Sequence, residues 1–254
     1  MSKIDPSYLL FQTRLFPLLP YLVYEALKIK KSVPRLPSIS ERLILKGKSP
    51  ELLLIGESTA AGVGATSSEF TLAGHIFNLY KGEYTLSNFG RNGIRASEIL
   101  PFFKSDLEKN STSKEGILIF LGANDCFQLT NPKSFAKSLT DLIDRLEQLF
   151  QPNWIYLADI PPVHLFPAFS SIMQSYLQSQ RHFLRNEMML ISAKRDNLIF
   201  QEIQLDLVEA FFASDGIHPS DLGYQKIAEF AFAGIQNFIQ VKSPACTGLS
   251  HFNS

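Results

Sequence analysis

Glu51-Leu52-Leu53-Leu54-Ile55-Gly56-Glu57-Ser58-Thr59-Ala60-Ala61-Gly62 decides how this chain is read. An apolar run of strand length that closes on a glycine-flanked serine describes a strand delivering one hydroxyl to the carboxyl edge of a sheet, where open α/β sheets bind their ligands. Ser58 is therefore a candidate nucleophile, although the same residues also describe an ordinary βα turn with a helix cap. Further runs at Tyr84 to Phe89, Gly116 to Gly122, Trp154 to Asp159 and Asn197 to Phe200 repeat the pattern, with helix-length segments between them. That alternation predicts right-handed crossovers and a parallel sheet covered on both faces by helices. Between Pro132 and Phe150, Phe135, Leu139, Leu142, Ile143, Leu146 and Leu149 recur at helical spacing, a scaffold helix. The stretch from Ser170 to Arg195 reads as a long helix whose Met173, Tyr176, Met188 and Met189 face either substrate or the core, with the core the better reading. Ser220 and Asp221 start the last helix, which is expected to run to about Ile239 and end near Pro244, ahead of a loose tail over 241–254.

Three other segments bear on the chemistry of Ser58. Asp215-Gly216-Ile217-His218-Pro219 puts a carboxylate and an imidazole three positions apart, the pair a hydrolytic serine needs for a base and for a group that orients it. Gly122-Ala123-Asn124-Asp125 closes the run from Gly116, and an asparagine there can aim an amide N–H at an oxyanion. Asn88-Phe89-Gly90-Arg91-Asn92-Gly93 supplies glycines that permit close backbone approach, with Gly93 the better N–H donor. Each segment has a bland counterpart as a turn glycine or a capped helix start. Their joint occurrence in this order, each after an apolar run or before a helix, argues for one catalytic set.

The four segments together resemble the SGNH hydrolases, also called GDSL esterases and lipases, from about Leu52 to about Phe230. The resemblance implies a flavodoxin-like three-layer α/β/α sandwich with a parallel sheet of about five strands. It implies Ser58 as nucleophile, His218 as general base and Asp215 as the third triad member. The oxyanion donors it implies are Gly93, Asn124 and the backbone N–H of Ser58. One departure stands at the first motif, where the family's Gly-Asp-Ser is Gly56-Glu57-Ser58, so the charge is kept on a longer side chain. The whole chain is most similar to bacterial SGNH hydrolases of unassigned substrate, including the Pro34-Arg35-Leu36-Pro37 that follows its N-terminal arm.

Composition accords with an α/β enzyme. At 254 residues, with 45% apolar and 19% charged residues, the chain can bury one sizeable core. Its 24 basic and 24 acidic residues cancel, which argues against nucleic acid as a partner. Cys126 and Cys246 give neither a disulfide framework nor metal-ligand spacing, so no metal or other cofactor is expected, and Cys126 reads as a small buried thiol. His75, His164, His182 and His251 lack telling partners.

The expected organisation is an arm over 1–48, a hydrolase domain over 49–240 and the tail. From Tyr8 to Leu27 the arm is dense in Leu, Phe, Tyr and Pro, and Lys28, Lys30, Lys31 and Arg35 follow. It reads either as an interfacial helix on a membrane or as a helical arm packed on the domain or on a second copy. Arg14, Glu25, Pro17 and Pro20 count against a full span, and no clean signal peptide is present. The location that follows is cytoplasmic or peripheral to the inner face of a membrane. Ile160 to Phe169, after the fourth strand, either walls the cleft or merely packs. The function expected is carboxylic ester hydrolysis through an acyl-serine, with a lysophospholipase or thioesterase as the alternative within the family. A noncatalytic binding protein on the same fold is the alternative from another class.

Overall fold

The computed structural model describes residues 6–242. Its strands are β1 (Ile44–Leu45), β2 (Glu51–Gly56), β3 (Thr85–Gly90), β4 (Gly116–Phe120), β5 (Trp154–Ala158) and β6 (Leu198–Gln201). Its α-helices are α1 (Pro6–Leu15), α2 (Leu19–Ser32), α3 (Ser58–Ala61), α4 (Leu72–Leu79), α5 (Ala96–Lys109), α6 (Ala123–Phe127), α7 (Pro132–Phe150), α8 (Ser171–Ser192) and α9 (Asp221–Lys242). The sheet order is β1-β3-β2-β4-β5-β6. The five expected strands pair in parallel, and the short β1 adds an antiparallel edge against β3.

The central strands read as unbroken apolar runs because both faces are covered. Leu53, Ile55, Ile117, Ile119, Ile155 and Leu157 pack under α5, α7 and α8. Their neighbours Leu52, Leu54, Leu118, Trp154 and Tyr156 face α4 and α9. This is the three-layer α/β/α sandwich that the resemblance implies. On α7 the expected stripe is buried except Leu149, which is only partly covered, and Phe150 closes the stripe instead. Asn131 caps that helix by accepting from the N–H groups of Lys133 and Ser134, and Pro132 occupies its first turn. The last helix runs to Lys242, three residues past expectation. Cys246, His251 and the tail from 243 lie outside the described residues.

The arm folds into α1 and α2, separated by a 3₁₀ turn at Phe16–Leu18. Tyr8, Phe11 and Leu15 of α1 pack against Tyr176 and Phe183 of α8, with Tyr8 edge-on to Phe183 at 5.1 Å between ring centres. Among the described residues no helix is long and apolar enough to cross a membrane.

Candidate active site

β2 and β4 leave the sheet side by side, with Gly56 paired to Phe120. The chain runs from β2 to β3 on one side and later to β4 on the other, so their carboxyl ends frame the switch point at which open α/β sheets hold ligands. Ser58 opens α3 directly behind β2, where the first N–H groups of a helix have no intrahelical acceptor. Asn88 of β3, fully buried, donates to the carbonyls of Ala60, at 2.8 Å, and of Ser40, and so braces α3 against the sheet.

The second half of the site comes from far along the sequence. Ala213 N–H donates to His218 O and Ser220 N–H to Phe211 O, both at 2.8 Å, pinching the segment between them into a loop. At its tip Asp215 Oδ2 lies 2.6 Å from His218 Nδ1, while Oδ1 accepts from the N–H groups of Ile217 and His218 at 3.0 Å each. Burial alone would raise the Asp215 carboxyl, but the His218 ring and the two backbone donors outweigh it and hold it below its ordinary value. Asp215 is therefore ionised and fixes the ring with Nδ1–H toward it, leaving Nε2 outward.

Hydrogen bonds then tie this loop to the one that follows Ser58. Thr66 donates through N–H and hydroxyl to Asp221, at 2.9 and 2.6 Å, and Tyr224 OH donates to Val63 O at 2.7 Å. Gly64 sits between them with φ +99°, and a Cβ there would stand 2.5 Å from Pro219 O and 3.3 Å from His218 Cβ. Only glycine permits that approach. Among the described residues no hydrogen bond joins Ser58 Oγ to His218, and such bonds commonly shorten only when substrate is held.

Glu57, the departure from the family motif, is buried beneath Asn124. Its carboxylate accepts from Ala123 N–H at 2.8 Å, Asn124 N–H at 2.9 Å and Asn124 Nδ2 at 2.7 Å. Burial pushes its carboxyl up to about 7 against the pull of the donors from Asn124 and Ala123. The second N–H of the Asn124 amide rests on Ile94 O at a longer 3.2 Å. The longer side chain of Glu57 thus reaches across to orient Asn124. Gly93, with φ +81°, is exposed, and a Cβ there would meet nothing within 4 Å.

Ser58, Gly93, Asn124, Asp215 and His218 all line one cavity of about 800 Å³. The loop after β5 does wall it, through Pro161, Phe166 and Phe169. Arg181 anchors that loop, donating to the carbonyls of Ile160 and Pro161 and pairing at 3.0 Å with buried Asp159. Of the α8 side chains read as core, Met173 and Met188 are buried in it, whereas Met189 is 44% exposed. Tyr176 is half-buried against α1, and it and Met173 also line the cavity. The remaining wall was not foreseen. Leu22, Ala26 and Ile29 of α2 face the cavity, and their three- and four-residue steps were the only sequence signal. Cys126 is fully buried, and burial pushes its thiol well up, so it takes no part. Among the described residues no cluster of three or more His, Cys, Asp or Glu could hold a metal.

Fold and site define an α/β/α hydrolase with its candidate residues on the sheet's carboxyl edge. Residues 54–226 match the GDSL-like Lipase/Acylhydrolase family, and the chain belongs to that family. No curated protein matches it. Among solved structures it is similar to the psychrotrophic esterase EstA from Pseudoalteromonas sp., at 18% identity and TM-score 0.60, over 76% of this chain and 100% of that one. It is also similar to TesA, at 16% identity and TM-score 0.60 over 74% and 99% of the two chains. Axe2, an acetylxylan esterase from Geobacillus stearothermophilus, matches at 17% identity and TM-score 0.55, over 74% and 95%. At these identities the likeness is one of fold.

Proposed function

We propose that the protein hydrolyses carboxylic esters through an acyl-serine. The observation that supports this most is the Asp215–His218 pair, held at 2.6 Å and opening onto the same cavity as Ser58. His218 takes the Ser58 proton as Oγ attacks the ester carbonyl, and Asp215 stabilises the imidazolium. The oxyanion receives the N–H groups of Ser58 and Gly93 and the second N–H of Asn124, which leaves Ile94 O as the oxyanion forms. His218 then protonates the departing alcohol and activates water for deacylation.

Phe166, Phe169, Met173 and the α2 residues offer an apolar wall, which favours an acyl chain over a sugar. Lys30 and Arg35 line the same cavity and favour a second reading, an ester whose head group is anionic, such as a lysophospholipid. Initial rates on nitrophenyl esters from acetyl to palmitoyl test both the reaction and the wall. Hydrolysis should be lost in Ser58→Ala, and kcat/KM should peak at medium to long chains. Equal inactivity of wild type and Ser58→Ala across the series would sink the esterase reading in favour of a noncatalytic role.

A further inference from the structure

α1 and α2 are held to the body unequally. α1 seats three buried residues against α8, whereas α2 has none. The side chains of α2 divide into two faces. Leu19, Leu22, Ala26 and Ile29 line the cavity, while Tyr21, Tyr24, Leu27, Lys28 and Lys31 are exposed on the opposite side. The apolar surface continues through Leu9 and Leu10, each about half exposed, and Phe16, which is 75% exposed. Between residues 6 and 36 there are five basic residues, Arg14, Lys28, Lys30, Lys31 and Arg35, of which Lys30 and Arg35 line the cavity, against one acidic residue, Glu25, in a chain whose total charge is zero. Glu25 is turned onto the Ser170 hydroxyl. Among the described residues none of the five cations is in an ion pair.

Exposed tyrosines and leucines interleaved with unpaired lysines match one environment, the boundary of an anionic bilayer. There the rings and aliphatic chains enter the headgroup layer while ammonium groups meet lipid phosphates. A second copy docked symmetrically through this face would set the same cationic surface against itself. We propose that the outer face of α1 and α2 docks on an anionic lipid surface. Docking sets the α2 wall of the cavity against the bilayer, so that esters are drawn from the lipid phase past a helix that has no buried residue to hold it. The delivery of substrate rests on the esterase reading; the docking does not.

Co-sedimentation of the full chain with lipid vesicles tests it. Wild type and Ser58→Ala should both pellet with equimolar phosphatidylglycerol–phosphatidylcholine vesicles and stay in solution with phosphatidylcholine alone. K28Q combined with K31Q should weaken partition about 25-fold, at about fivefold per lysine, and added salt should act in the same direction. Hydrolysis of a soluble short-chain ester should be unchanged in that variant. Y24S combined with L27S should also release the protein from vesicles, with its elution in size-exclusion chromatography unaltered. Binding that is absent, that is equal on both vesicles, or that ignores the lysine changes would overturn the proposal, as would a dimer dissolved by Y24S and L27S. An inactive wild type that still pellets with anionic vesicles would support the docking surface while removing the esterase reading.

Discussion

At the scale of single residues, the site turns on how Asn124 is aimed. Asn124→Ala should lower kcat on the order of a hundredfold to a thousandfold with secondary structure intact, measured by initial rates. Glu57 carries a separate pH signature. Its carboxyl titrates near 4.5 when exposed and near 7 in the fold, so the native state holds the proton more tightly. The stability this gives is full below about 4.5 and is lost as pH rises through about 7. Between those limits wild type should lose on the order of 3 kcal/mol relative to Glu57→Gln, whose stability should be flat with pH, as read by urea unfolding at each pH. Ser58, Asp215, His218, Gly93 and Asn124 stood out as candidates because each sits in a short motif, and all five line one cavity. The hold of Glu57 on Asn124 was not, since it joins residues 66 or more positions apart through a side chain whose length alone decides whether it reaches.

At the scale of elements, two loops brought together from opposite ends of the sequence make the site. Gly64→Ala adds a Cβ facing Pro219 O at 2.5 Å on a backbone with φ +99°. The strain should cost about 1–3 kcal/mol and push the His218 loop away from Ser58. A displacement of about 1 Å should lower kcat about a hundredfold, with the far-ultraviolet dichroism spectrum unchanged. The central strands β2, β4 and β5 were readable because burial on both faces makes them nearly unbroken apolar runs, whereas β3 carries the buried polar Ser87 and Asn88. β1 was not, since two residues carry no periodicity and Ile44 and Leu45 gain their pairing only from the proximity of β3. The inner face of α2 shows the same limit: periodicity tells that a helix has an apolar stripe, not whether the stripe meets a sheet or a cavity.

At the scale of the whole molecule, the N-terminal arm and the hydrolase site share one wall. Phe11, 8% exposed, packs with Tyr8, Tyr176 and Phe183, and Phe11→Ala should loosen the seat of α1 by about 3 kcal/mol. Hydrogen exchange should then quicken over 6–32 while the sheet keeps its protection. KM for long acyl esters should rise and kcat for acetyl esters should hold. The composition of the arm was plain in the sequence, but its seat on α8 depends on aromatic partners more than 160 positions away. The clasp between Thr66 and Asp221 has a consequence for synthesis. A ribosome delivers Ser58 early and His218 only after nearly the whole sandwich, so under the proposed mechanism a nascent chain is inert until its last helix begins to form, and a truncated product short of that point should not turn over.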